Sequence, residues 1–321
     1  MAEEGYLEFK QNAFHSDLTI GTGASIVNNT YIILPEGTTV AQIQALPLSG
    51  TGVVRVATAY NISDWATAWD TYTNDGVALK EISGGLDLSV GDHSDATLTD
   101  DGYAWNDGTN TLTLGDVYVN GGLTLPNNTT INTTSGSTIS GNISGAGGTS
   151  MNLVFEGSAP LNINGIISLA TNGDSVTVQD GAHVTVNGVF SLGVYDGILN
   201  VSGSGTVLNL SAQQGYAVLC GTVNVGNGAS LNVGSQGAGS RGIQAHGNVN
   251  VTGGAMLRAG CDYGVYIIDG TLTVDSSSKL ITNGTVAPFC VVDTSSNKEQ
   301  NEAINLPGLP SGTKITSEQG N

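Results

Sequence analysis

The chain has 321 residues, of which 47 are Gly, 6% are aromatic and 11% are charged. So few charges exclude an ordinary helical protein, and the abundance of Val, Leu and Ile excludes a disordered one. A formal net charge of −19, with only 8 Lys and Arg that form no run, excludes a surface that tracks nucleic-acid phosphates.

Residues 1 to 58 carry strand-like segments (YLEF, SDLTI, NTYIIL, GVVRVAT) and a segment, PEGTTVAQIQAL, in which Thr38 or Thr39 can cap a helix of one or two turns. They read as a small β-rich unit or as the irregular beginning of a solenoid. Residues 59 to 90 contain SDWATAWDTYTNDG, where Ser63 is a good N-cap and Trp65, Ala68, Trp69 and Tyr72 share one helical face. The pattern predicts an amphipathic capping helix followed by an entry strand. Trp65 and Trp69 are expected to pack under that cap, with a sugar-stacking platform as the alternative. From residue 91 the chain is acidic and rich in turns, and alternation resumes in TLTL, VYV, LTL, TTI and STI, so two or three imperfect coils precede Met151.

From Met151 one plan repeats six times. The first segments are MNLV, SVTV, ILNV, TVNV, NVNV and TLTV, whose starts are 24, 23, 24, 26 and 23 residues apart. The second segments, PLNI, HVTV, VLNL, SLNV, MLRA and KLIT, follow in step, and a third, less regular set runs from IISL to FCVVD. A fixed period in this range marks stacked repeats, and alternation at period two marks strands. Three strands per coil make a parallel β-helix spanning 91 to 295, with a tail or linker over 296 to 321. Stacking places Val176, Leu199, Val223, Val249 and Leu272 in one inward column and Val178, Val201, Val225, Val251 and Val274 in the next. Leu161, Val184, Leu208, Leu231, Leu257 and Leu280 form the inward column of the second strand. The register of the third strand stays open, because its segments differ in length. Cys220, Cys261 and Cys290 fall in successive coils and show no metal-ligand spacing, so they read as small core thiols rather than a bridge.

The run DGYAWNDGTNTLTLGDVYVNGGLTLPNNTTI, together with coils such as GIQAHGNVNVTGGAMLRAGCDYGVYIIDGTLTV, resembles the right-handed β-helix of pectate-lyase-like proteins. In style it is more similar to the carbohydrate-binding and adhesin-like surface solenoids of clostridial and other gut Gram-positive bacteria. The likeness covers about residues 60 to 293. It implies an all-β, right-handed, single-stranded parallel β-helix of about eight coils behind an N-terminal capping helix, in an exported protein that faces polysaccharide or a host surface.

No stretch approaches the roughly 20 apolar residues that span a bilayer. The opening MAEEGYLEFKQ is acidic and unlike an export signal, so either the chain is intracellular or its signal has been removed; the Asn/Thr/Gly-rich, lysine-poor solenoid favours the second, an extracellular or cell-surface protein that is one module of a larger chain. Between Glu81 and Ser240 there are twelve Asp and Glu but no Lys or Arg, which deprives a lyase of its basic side chain over half the chain. Two polar constellations remain. Asp92, His93, Asp95, Asp100, Asp101 and Asp107 cluster near Tyr103 and Trp105; the aspartates suit calcium, the one cofactor the sequence suggests, and the aromatics suit a sugar ring. No known calcium pattern is present, and solvated turns are the plain alternative. Arg241, Gln244, His246, Arg258, Tyr263 and Tyr266 fall within two coils, as ligand-binding candidates for a shallow groove. Asp262 and Asp269 are the nearby carboxyls that a glycoside hydrolase would use. The reading is a non-catalytic adhesin or glycan-binding module, with a polysaccharide-active enzyme, a hydrolase before a lyase, and a tailspike-like fibre as alternatives.

Overall fold

The computed structural model describes residues 26–29, 31–61, 65–147, 150–169, 171, 173–192, 196–282, 287–293, 298–299 and 304–305. The strands form a parallel β-solenoid of about 10 turns, rather than eight. Among the described residues its three long sheets hold twelve, ten and ten strands, and successive coils add one strand to each. We call these the second, third and first faces, in that order, so that each coil visits first, second and third in turn.

The three inward columns form as the alternation requires, Val176, Leu199, Val223, Val249 and Leu272 aligning in the first. Val178 pairs with Val201, Val201 with Val225, and Val225 with Val251. On the second face Leu161, Val184, Leu208, Leu231, Leu257 and Leu280 stand in one line. Most of these side chains are fully buried, each stabilising the fold by roughly 1.5–3 kcal/mol relative to exposure. The third-face register resolves as Ile167, Phe190, Val218, Ile243, Val265 and Phe289 in line. Two imperfect coils, with strands over 111–125 and 129–145, do precede Met151. Glycine marks the corner into the third face for a steric reason: a Cβ on Gly188 would stand 2.3 Å from the Gly165 carbonyl oxygen, and one on Gly165 2.4 Å from that of Gly141. The backbones of successive coils touch there, and only hydrogen fits between them.

The predicted capping helix over 63–76 is not formed. Trp65–Thr73 is a nine-residue strand antiparallel to Val53–Asn61. The spacing of Trp65 and Trp69 is four, which places two residues on one side of a strand as well as on one face of a helix. Thr67, Thr71, Thr73 and Tyr72 then tip the choice, since β-branched and aromatic residues favour strands. The side chain of Trp65 lies outside the described residues. The short helix at Val40–Gln44 does form. Thr39 caps it, the Gln42 side chain accepts from the Thr39 amide at 2.8 Å, and Ile43 is buried against Ile32, Leu34, Val54 and Val56.

The strands Tyr31–Leu34, Val53–Asn61 and Trp65–Thr73 continue the second-face sheet and fold back over its outer side. Tyr118 points outward from its strand, between inward Val117 and Val119, yet is only 2% exposed because Val53 and Leu79 cover it. Farther along, the Thr51 hydroxyl donates to Asn164 Oδ1 at 2.6 Å and accepts from Asn187 Nδ2 at 2.6 Å.

Candidate functional site

The acidic stretch is dispersed by its own turns. Asp92 accepts from the backbone and hydroxyl of Ser94 at 2.9 and 2.6 Å, and the same donors hold its carboxyl below the usual carboxylate range. Asp101 accepts from the Thr97 amide at 2.9 Å, and Asp100 from the Thr97 hydroxyl at 3.3 Å, both at the start of the helix Leu98–Asp101. Asp95 is exposed. Nε2 of His93 faces two carbonyls, Asp87 O at 2.8 Å and Val90 O at 3.1 Å, so it carries the proton. Among the described residues no three His, Cys, Asp or Glu side chains converge as a metal site requires. Trp105 is 6% exposed within the solenoid core, its indole N–H donating to Asp107, and half-buried Tyr103 packs against that core. A buried indole has no face to offer a sugar.

The second constellation divides between two faces. Arg258 is exposed on the second face, in line with Asn232 and Ile281. Arg241, Gln244, Tyr263 and Tyr266 lie on adjacent strands of the third face, where Arg241 pairs with Tyr263 and Gln244 with Tyr266. These side chains are half-buried and touch. The Arg241 guanidinium lies over the Tyr266 ring, 4.2 Å from its centroid, and Nη1 donates to Gln244 Oε1 at 2.7 Å. Gln244 Nε2 reaches His246 Nε2 at 3.2 Å, so the imidazole accepts there. Burial pushes the His246 pKa down, opposed by the charge of Asp269, so the ring is neutral at pH 7. The Tyr263 and Tyr266 rings stand at 84°, with centroids 5.8 Å apart.

Asp262 and Asp269 flank this platform at opposite ends of the strand Tyr263–Ile268. At roughly 3.3 Å per residue, seven steps of extended chain separate them by about 23 Å. A glycosidase pair needs about 5–10 Å, so these two carboxyls cannot flank one bond. Asp262 serves the corner instead, its Oδ2 accepting from the Gly239 amide at 2.6 Å.

Three polar devices lie outside the constellations taken from sequence. On the outer side of the first face Asn250 donates to Asn224 and Asn224 to Asn200, each at 2.9 Å. A matching link joins Asn232 to Asn209 on the second face, also at 2.9 Å. The regular outward asparagines were the signal for these ladders. Asp174 is 1% exposed and holds a corner through the Met151 amide at 2.6 Å and the Thr171 amide at 2.7 Å. The third device is the densest. Arg55, 4% exposed, donates to Glu81 Oε1 at 2.7 Å and lies over the rings of Tyr31 and Trp69, 4.5 and 4.4 Å from their centroids. Glu81 also accepts from Trp69 Nε1 at 2.7 Å, the Thr71 hydroxyl at 2.5 Å and Asn120 Nδ2 at 3.2 Å. An arginine inside the otherwise apolar strand GVVRVAT was its only trace in the sequence.

Among the described residues no helix is long and apolar enough to cross a membrane. Comparison of the chain with protein-family models, with curated proteins and with solved structures finds no match.

Proposed function

We propose that the chain is a non-catalytic, glycan-binding surface solenoid whose ligand lies on the third face, over Tyr263 and Tyr266. The observation that carries this reading is the pair of orthogonal tyrosine rings, 5.8 Å apart and framed by Arg241, Gln244 and His246. A sugar ring has apolar C–H faces and a hydroxyl rim; the platform combines aromatic surface with amide, imidazole and guanidinium hydrogen-bonding groups. A non-catalytic role is supported by the separation of Asp262 from Asp269. Display at a cell surface, as one module of a larger protein that meets polysaccharide or host glycans, belongs to the same proposal.

A glycan array followed by titration calorimetry tests it. Replacing Tyr266 or Tyr263 by Ala should weaken binding on the order of tenfold, the equivalent of about 1.4 kcal/mol for one aromatic contact. A blank array, or binding indifferent to both changes, overturns it.

A further inference from the structure

From the setting of Arg241 we infer that the third-face platform takes an uncharged saccharide, and that Arg241 positions Tyr266 and Gln244 rather than anchoring an anion. The inference rests on the glycan-binding reading and concerns which class of glycan fits.

An arginine that recognises a carboxylate presents two N–H groups of its planar fork to the incoming oxygens. In Arg241 one nitrogen of that fork is already engaged and another is out of reach. Nη1 is held by Gln244 at 2.7 Å, and Nε is buried, with no hydrogen-bond partner among the described residues, where no ligand oxygen reaches it. The flat side of the guanidinium is spent on the Tyr266 ring at 4.2 Å. What this arrangement does well is orientation. It fixes the Tyr266 ring and occupies the Gln244 carbonyl, so that the carboxamide turns its N–H groups toward His246 and outward.

Charge points the same way. Among the described side chains the platform has one positive group, Arg241, and two negative ones, Asp262 and Asp269, at the ends of one strand. His246 adds nothing at pH 7, because burial lowers its pKa. The described groups thus sum to one negative charge, within a chain of net charge −19. An anionic sugar meets repulsion at short and long range, whereas a neutral sugar meets fixed donors and acceptors that need no counter-charge.

The test uses the full chain against neutral oligosaccharides (gluco-, galacto-, manno- and N-acetylglucosamine oligomers) and matched uronate and sialic-acid oligosaccharides, at low and high salt. Neutral ligands should bind with affinity that changes less than about twofold with salt, since no ion pair is screened. Arg241→Lys, which keeps the charge but loses the planar stack, should weaken neutral binding by about tenfold, as much as Arg241→Met does. Unchanged melting of both variants excludes misfolding as the cause. Preferential binding of acidic sugars that weakens with salt and survives Arg241→Lys overturns the inference while leaving glycan binding intact. Binding of neither class defeats the glycan reading and this inference with it.

Discussion

Exchanging Glu81 for Gln removes one charge from the Arg55 node without changing its volume, and the structure sets the consequence. The carboxylate accepts four donors, Arg55 and Asn120 at Oε1 and Trp69 and Thr71 at Oε2. An amide keeps one accepting oxygen and turns an NH₂ toward the other pair. If the NH₂ faces Thr71 and Trp69, the hydroxyl can rotate to accept but the indole N–H cannot, leaving a donor stranded at about 1–3 kcal/mol. The Arg55 guanidinium, with its side chain 5% exposed, also loses its counter-charge. Breaking such a buried pair costs about 3–5 kcal/mol in all. Because the node joins Tyr31, Arg55, Trp69 and Thr71 of the N-terminal strands to Tyr118 and Asn120 of an early coil, the loss should appear first in residues 53–83. Urea unfolding followed by tryptophan fluorescence, with hydrogen exchange resolved by segment, measures it: earlier exchange over 53–83 and preserved protection in the coils beyond Met151. The double variant Arg55→Met/Glu81→Gln removes both charges while keeping an accepting oxygen for Trp69 and Thr71, and should be more stable than Glu81→Gln alone. A Glu81→Gln midpoint equal to that of the unaltered chain, or a double variant below the single one, is incompatible with a buried charge pair at this node.

Asn224→Leu cuts the first-face ladder at its middle, removing the links to Asn200 and Asn250, and should lower stability by about 1–2 kcal/mol in urea melts. Asp275 is held at a pKa of about 2, against 3.8 ordinarily, by the Gly253 amide and by Ser278 and Ser277. A depressed folded pKa adds stability that is fully present above the unfolded value and lost as pH falls through the folded one. The stability gap between the unaltered chain and Asp275→Asn should thus be constant above about pH 4 and close on acidification toward pH 2 in pH-dependent melts. Burial pushes the Cys220 thiol up to about 12 and that of Cys261 to about 11. Neither should react with iodoacetamide at mildly alkaline pH until the chain unfolds, as peptide mass spectrometry will report.

The fold is legible in the sequence to the extent that it is repetition. Val178, Val201, Val225 and Val251 align from the residues alone because the period of two and the coil length of 23 to 26 residues reinforce one another over six copies. Where there is no repetition, local pattern misleads. The tryptophans at 65 and 69 satisfy both periods, and pairing with Val53–Asn61 selects the strand. Asp262 and Asp269 look close in sequence, but seven residues of strand carry their ends far apart. The clustered aspartates near residue 95 suggest an ion site, whereas Ser94, Thr97 and a short helix start have already claimed several of them.

Spacing along the chain was enough to specify the coil, its inward columns and the placing of Arg241, Gln244, Tyr263 and Tyr266 in two neighbouring turns. It took packing in three dimensions to draw Trp105 into the core and to fold the N-terminal strands back so that they enclose Arg55 with Glu81. Those outcomes depend on which surface of a coil each residue meets. That is set by corners and by contacts between segments up to 136 residues apart, which no local periodicity encodes.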